Sequence, residues 1–112
     1  MTGDNLDIRC IVAIVERGKA DKVVNAAKKA GATGATIFYA RGTGTTEAKK
    51  FFDLHIESSK EVIIILTEVS KKDKIIKAMV EAGKLKAPGT GIIFSVEISD
   101  LIGLKHRNGL DK

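Results

Sequence analysis

The sequence predicts a small α+β domain of order βαββαβ, a four-stranded antiparallel sheet with two helices on one face. Three observations carry that expectation. β-branched apolar runs alternate with segments of helical spacing. The two halves of the chain repeat one another, and the central runs are apolar at nearly every position, as strands buried on both faces are.

Residues 6–16, LDIRCIVAIVE, read as a central strand, broken at Arg17-Gly18. From Lys19 to Ala30 the apolar positions Val23, Val24, Ala27 and Ala30 fall on one helical stripe, and Gly31 is placed to end the helix. Residues 35–41, ATIFYAR, make a second strand closed by Gly42-Thr43-Gly44. In FFDLHIE, Phe52, Leu54 and Ile56 alternate with Asp53, His55 and Glu57, the mark of a half-buried strand. EVIIILTEV is a third main strand. Ser70 reads as the N-cap of a helix over Lys71–Ala82, with Asp73 as the acidic partner of a capping box. Gly83 closes that helix, and Gly91–Ile98 is the fourth main strand.

The repeat is gapless. Shifting Ile11–Gly31 by 52 positions onto Ile63–Gly83 superposes Ile11, Glu16, Lys19, Asp21, Lys22, Ala26, Ala30 and Gly31 on identical residues. Strand falls on strand and helix on helix. Two split βαβ units of this kind interleave into the ferredoxin-like arrangement. Its helices cover one sheet face only, so an apolar second face needs a partner, and closed cyclic association follows as an expectation.

With 112 residues the chain makes one domain, 1–112. Aromatics are 4% and tryptophan is absent, so the core is built of Val, Ile, Leu and Ala. The apolar runs, Val62–Leu66 among them, are strand-sized, and the N-terminus MTGDNLD is polar, so neither membrane insertion nor a leader is expected and the location reads as cytoplasmic. Cys10 lies within an apolar run and reads as a buried bystander. The net charge of +5 suits anionic ligands, but dispersed lysines without aromatic platforms argue against nucleic acid. No nucleophile has an adjacent base and no Cys/His cluster appears, so no catalysis is expected. His55 and His106 read as a strand and a tail residue; Asp53 and Glu57 beside His55 make only an opportunistic cation site.

The stretch APGTGIIFSVEI (Ala87–Ile98) places two glycines around Thr90 just beyond Lys84-Leu85-Lys86. Glycines let a backbone turn and converge its N–H groups on an anion. The same residue types also make plain connectors. Taken with GATGATIFYARGTG (Gly31–Gly44), ESSKEVIIILT (Glu57–Thr67) and DLIGL (Asp100–Leu104), the chain resembles the PII family of nitrogen-regulatory signal proteins, in its short, divergent PII-like branch, over residues 8–105.

The resemblance implies a homotrimer of ferredoxin-like subunits that binds an adenine nucleotide (AMP, ADP or ATP) between subunits. Such a protein controls a target enzyme or membrane transporter through a loop, here residues 45–59, with a C-terminal tail at 105–112. It implies that Thr36 reads the adenine and that Ile14 forms part of its apolar wall. Gly42, Thr43 and Gly44 match the base of the signalling loop, Gly89, Thr90 and Gly91 the phosphate turn, and Lys105 a C-terminal cation reaching phosphate. Thr46, Lys49 and Lys50 fall in the partner loop. The departures are specific: Ile92 and Gly103 stand where the family carries basic residues, Thr90 where it carries an acid. Thr46 takes the place of the family's glutamine that helps hold Mg2+ and 2-oxoglutarate, which counts against 2-oxoglutarate sensing and leaves Mg2+ as a ligand the resemblance still allows. Lys84, Lys86 or Arg41 would have to supply the missing charge. The function expected is therefore a regulator, in nitrogen metabolism or beyond it. The alternative is a trimeric ferredoxin-like protein that binds divalent metal or senses a small anion without nucleotide signalling.

Overall fold

The structure, a computed structural model, describes residues 7–43 and 57–103. Its elements run β1 (Ile8–Glu16), α1 (Ala20–Lys29), β2 (Thr36–Thr43), β3 (Glu57–Glu68), α2 (Val69–Gly83) and β4 (Gly91–Glu97). The sheet order is β2-β3-β1-β4 with every neighbouring pair antiparallel, which is the ferredoxin-like topology. The strand 51–57 expected from FFDLHIE lies outside the described residues apart from Glu57, which opens β3.

Register sorts the side chains onto two faces. Ala13 pairs with Ile63 on one side and Ile93 on the other, and Ile11 with Ile65. These residues and Val15 point to the helices, where Val23 and Ala27 of α1 and Ile75 and Met79 of α2 are fully buried against them. The core is aliphatic throughout, as the composition requires. Glu61 shares this face, opposite Val15. Its Oε1 accepts from the backbone N–H groups of Gly18, at 2.8 Å, and Ala20, at 3.0 Å. A strand carboxylate thus serves the donors at the start of α1, which has no side-chain cap of its own.

Both helices end in the same hydrogen-bonded motif. At the end of α1, Gly31 takes φ +121°, its N–H bonds the Lys28 carbonyl at 3.1 Å, and that of Ala32 bonds Ala27 at 3.0 Å. Gly31 therefore ends α1 as its spacing predicts. At the end of α2 the left-handed residue is Lys84, φ 54° and ψ 43°, and the Leu85 N–H bonds the Val80 carbonyl at 3.0 Å. Gly83 is still helical and packs into a tight place, where a Cβ would lie 3.1 Å from Val23 Cγ2. The repeat thus slips by one residue at its last position.

The start of α2 also differs from expectation. The helix begins at Val69, directly out of β3, with Glu68 extended at the cap position and no side-chain cap. Ser70 sits in the first turn. The Val69 N–H instead donates to the Asp7 carbonyl at 2.8 Å, so the chain before β1 satisfies it. Residues 57–59, assigned to the loop by sequence, are the first of β3 and pair with Thr43, Gly42 and Arg41. The connecting stretch is therefore 44–56.

No helix among the described residues covers the second sheet face. Register places Phe38 of β2, Val62 and Ile64 of β3, Val12 and Ile14 of β1, and Ile92, Phe94 and Val96 of β4 upon it. Its edges stay open: Phe38 is 46% exposed, Ile92 57%, Phe94 44% and Val96 45%.

Candidate functional site

The sheet has one end at which β1 finishes, β4 begins and β2 leads out of the described chain. Gly91, first in β4, pairs with Val15, and Lys60 of β3 pairs with both Glu16 of β1 and Ala40 of β2. Gly42 follows two residues along β2, opposite Ser58. This end gathers Ile14, Gly42, Thr43, Gly89, Thr90 and Gly91 from the sequence-predicted set.

The glycine turn is held from within. Its Ala87 N–H bonds the Lys84 carbonyl at 3.0 Å, and Thr90 Oγ1 lies 2.9 Å from the carbonyl oxygens of both Lys84 and Ala87. The Thr90 hydroxyl is thus engaged in shaping the turn. Gly89 takes φ +77° with open space where a Cβ would be, so the backbone is approachable there. Gly91, at φ +148°, runs against β1, and a Cβ on it would overlap the Ile14 carbonyl oxygen and lie 3.2 Å from Leu85 Cδ2. Each glycine has its own reason, one open and one closely packed.

Thr36 is not part of this cluster. It opens β2 opposite Ile64, and six residues of strand, roughly 20 Å, separate it from Gly42. Thr36 and Gly42 share the uncovered face but lie towards opposite ends of β2. The described predicted residues therefore form two groups, Thr36 at one end of the sheet and the glycine cluster at the other. Gly44, Thr46, Lys49, Lys50, Lys105, His55 and His106 lie outside the described residues. Among the described residues no three His, Cys, Asp or Glu side chains come together as a metal site.

Lys84 and Lys86, expected as substitute cations, line a groove of about 500 Å3 beside Ile76, Lys77 and Val80 on the outside of α2. That is the helical side, away from the uncovered sheet face, and apart from these two lysines the groove contains none of the predicted ligand residues. Its size does not make it the site.

Sequence reasoning missed the charges that do lie at the sheet end. The Lys60 ammonium is ion-paired to Glu16 Oε2. The stem of Lys60 lies along Gly42, where a Cβ would sit 3.3 Å from its Cγ and Cε. The Arg17 guanidinium stacks 4.9 Å from the Tyr39 ring centroid, and the Arg17 N–H bonds the Ser59 carbonyl at 3.3 Å. The β1–α1 turn is thereby fastened to the first residues of β3, beside the root of the 44–56 stretch. Alternation could have placed Lys60 on the uncovered face, but nothing local pointed to Glu16.

Solved structures with the same fold include the ATP complex of Bacillus subtilis GlnK, 22% identical, with a TM-score of 0.70 over 88% of each chain. Arabidopsis thaliana PII bound to citrate is also 22% identical, TM-score 0.66, over 91% of this chain and 87% of that one. A Bacillus cereus protein related to NIF3 matches 85% of this chain with 26% of its own, at 19% identity and a TM-score of 0.66. No curated protein matches the sequence. No helix among the described residues is long and apolar enough to cross a membrane. The family model of nitrogen regulatory protein P-II matches residues 8–108, nearly the whole chain including both glycine segments. The chain belongs to the P-II family of nitrogen regulatory, signal-transducing proteins.

Proposed function

We propose that this chain is a non-enzymatic signal protein that binds an adenine nucleotide between the subunits of a homotrimer. The phosphates lie on the Gly89–Gly91 turn and along Gly42 and Thr43 of one subunit, and the adenine reaches Thr36 of its neighbour. The observation that supports this most is the separation of Thr36 from the glycine cluster on one uncovered apolar face. Association through that face would bury Phe38, Ile92, Phe94 and Val96 and bring the two groups together. Bound nucleotide then biases the 44–56 stretch, rooted at Thr43 and Glu57, between states that a target enzyme or transporter distinguishes. That effect requires different nucleotide affinity in the two states.

Light scattering and calorimetry with ATP, ADP and AMP test the reading. The expected result is a trimer that binds at least one of them and loses affinity on Thr36→Val or Gly89→Val. A monomer in solution, or a trimer indifferent to all three nucleotides, overturns it. The same titration with Zn2+ examines the metal-binding alternative, for which the described residues offer no donor set.

A further inference from the structure

We infer that the lysine-edged groove on the outside of α2 is a docking site for an acidic amphipathic helix of a partner protein.

The fold collects charge that the sequence scatters. Residues 19–31 and 70–87, which form the two helices and their ends, contain ten lysines and three acids. The rest of the chain holds nine basic and eleven acidic residues, so the whole excess of +5 comes from the helical side. That side lies away from the uncovered apolar sheet face, and association through that face would leave it open. A positive field there steers an acidic surface toward it.

The groove gives that field a binding point. Ile76 and Val80, one turn apart on α2, are half-buried and supply its apolar lining with Ala87. Lys77, Lys84 and Lys86 stand exposed around them, against a single acid, Glu81. None of these three lysines has an ion-pair partner among the described residues. The rim is also set before anything binds. The Lys84 carbonyl accepts from the Ala87 N–H at 3.0 Å and lies 2.9 Å from Thr90 Oγ1, which holds the segment carrying Lys84 and Lys86 in place. A preformed rim lowers the ordering cost of association.

The shape favours a helix as occupant. Ile76 and Val80 lie on one i, i+4 ridge, the kind of row against which a second helix packs. An incoming helix lays its own aliphatic side chains along that ridge and brings its flanking carboxylates to the three lysines. Glu81 sets the register, because an acid opposite it is repelled and the partner needs a neutral or basic residue there. Other polyanions fit less well. The phosphates of a nucleic acid leave Ile76 and Val80 unmatched and meet Glu81. A bilayer surface takes up protruding apolar side chains, whereas those of the groove are recessed between lysines, and Ile75 and Met79 of α2 are buried against the sheet.

Fluorescence polarisation of the full chain with one synthetic probe tests the assignment: a helical peptide bearing leucines at i, i+4 and i+7, flanked by glutamates. The expected result is saturable binding that Lys77→Glu weakens about fivefold and Val80→Asp weakens roughly tenfold or more, while Glu81→Gln tightens it. Peptide binding unchanged by K77E and V80D overturns the assignment, as does equal binding of the peptide with serine in place of its leucines. Absence of peptide binding overturns it too, and Lys77-dependent binding of duplex DNA or phosphatidylglycerol vesicles in its stead would assign the surface to another polyanion. Should V80D fail to fold, the exposed positions decide: K77E and E81Q moving peptide affinity in opposite directions supports the groove, and any other pattern overturns it.

Discussion

Gly91 passes so close to β1 that any side chain on it would collide with the carbonyl oxygen of Ile14. Neighbouring strands do not normally exclude a methyl group in this way. The approach arises because β4 leaves the glycine turn at φ +148° and must reach its ladder with Val15 at once. Gly91→Ala should therefore lower stability by about 2 kcal/mol or more, from overlap and backbone strain together. Urea unfolding measures it; a loss below about 0.5 kcal/mol would show that the strand end yields freely. Gly89→Ala meets no neighbouring atom and should cost only its strain at φ +77°, about 1 kcal/mol.

The carboxylate of Glu61 holds two N–H groups at the start of α1 from a position 43 and 41 residues away in sequence. Truncation leaves those donors facing a partly buried gap. Glu61→Ala should cost about 2–3 kcal/mol, while Glu61→Gln, which keeps an acceptor oxygen, should cost about 1 kcal/mol. Hydrogen exchange at Gly18 and Ala20 should rise in E61A more than at the middle of α1. Equal stability of E61A and E61Q would refute the bonding role.

The helix ends make opposite predictions. Gly31→Ala puts a Cβ at φ +121° and should destabilise by about 1 kcal/mol, whereas Lys84→Gly relieves a left-handed lysine and should stabilise by about 1 kcal/mol. Thermal melts of the two variants should move in opposite directions. Movement in the same direction would mean that the Lys84 side chain makes contacts outweighing its backbone cost.

Burial pushes the Cys10 thiol up from its ordinary range, so less thiolate is present at a given pH. Reaction with an aromatic disulfide reagent at neutral pH should be slower than that of a free thiol. Unfolding in urea should restore the rate. The sign for stability follows: the folded chain retains the thiol proton longer, so this contribution is full below the unfolded thiol's range and is lost as pH rises through it. Rapid labelling of the folded protein at neutral pH would count against burial.

Much of the fold was legible because neighbours in sequence decided it. The stop of α1 at Gly31 and the central strands depend on local pattern, and the 52-residue repeat placed the two βαβ units. What escaped was settled at long range. Ser70 looked like a cap, yet the first N–H of α2 is served by the Asp7 carbonyl, which no local pattern reveals. Ser58-Ser59 resembled a loop because it lacks apolar alternation, but pairing with β2 keeps it in a strand. The glycine turn was readable from its spacing. Glu16 and Lys60, 44 residues apart, were not, since only the sheet register makes them neighbours.

That β2 and β3 stay paired out to Thr43 and Glu57 has an evolutionary corollary. The two anchor points of the intervening stretch are fixed side by side whatever lies between them. Closing a longer excursion across fixed anchors adds only about 0.6 kcal/mol for each doubling of its length. Insertions and deletions there should leave the scaffold's register untouched, so the length of chain between the anchors can vary while the body of the molecule stays constant.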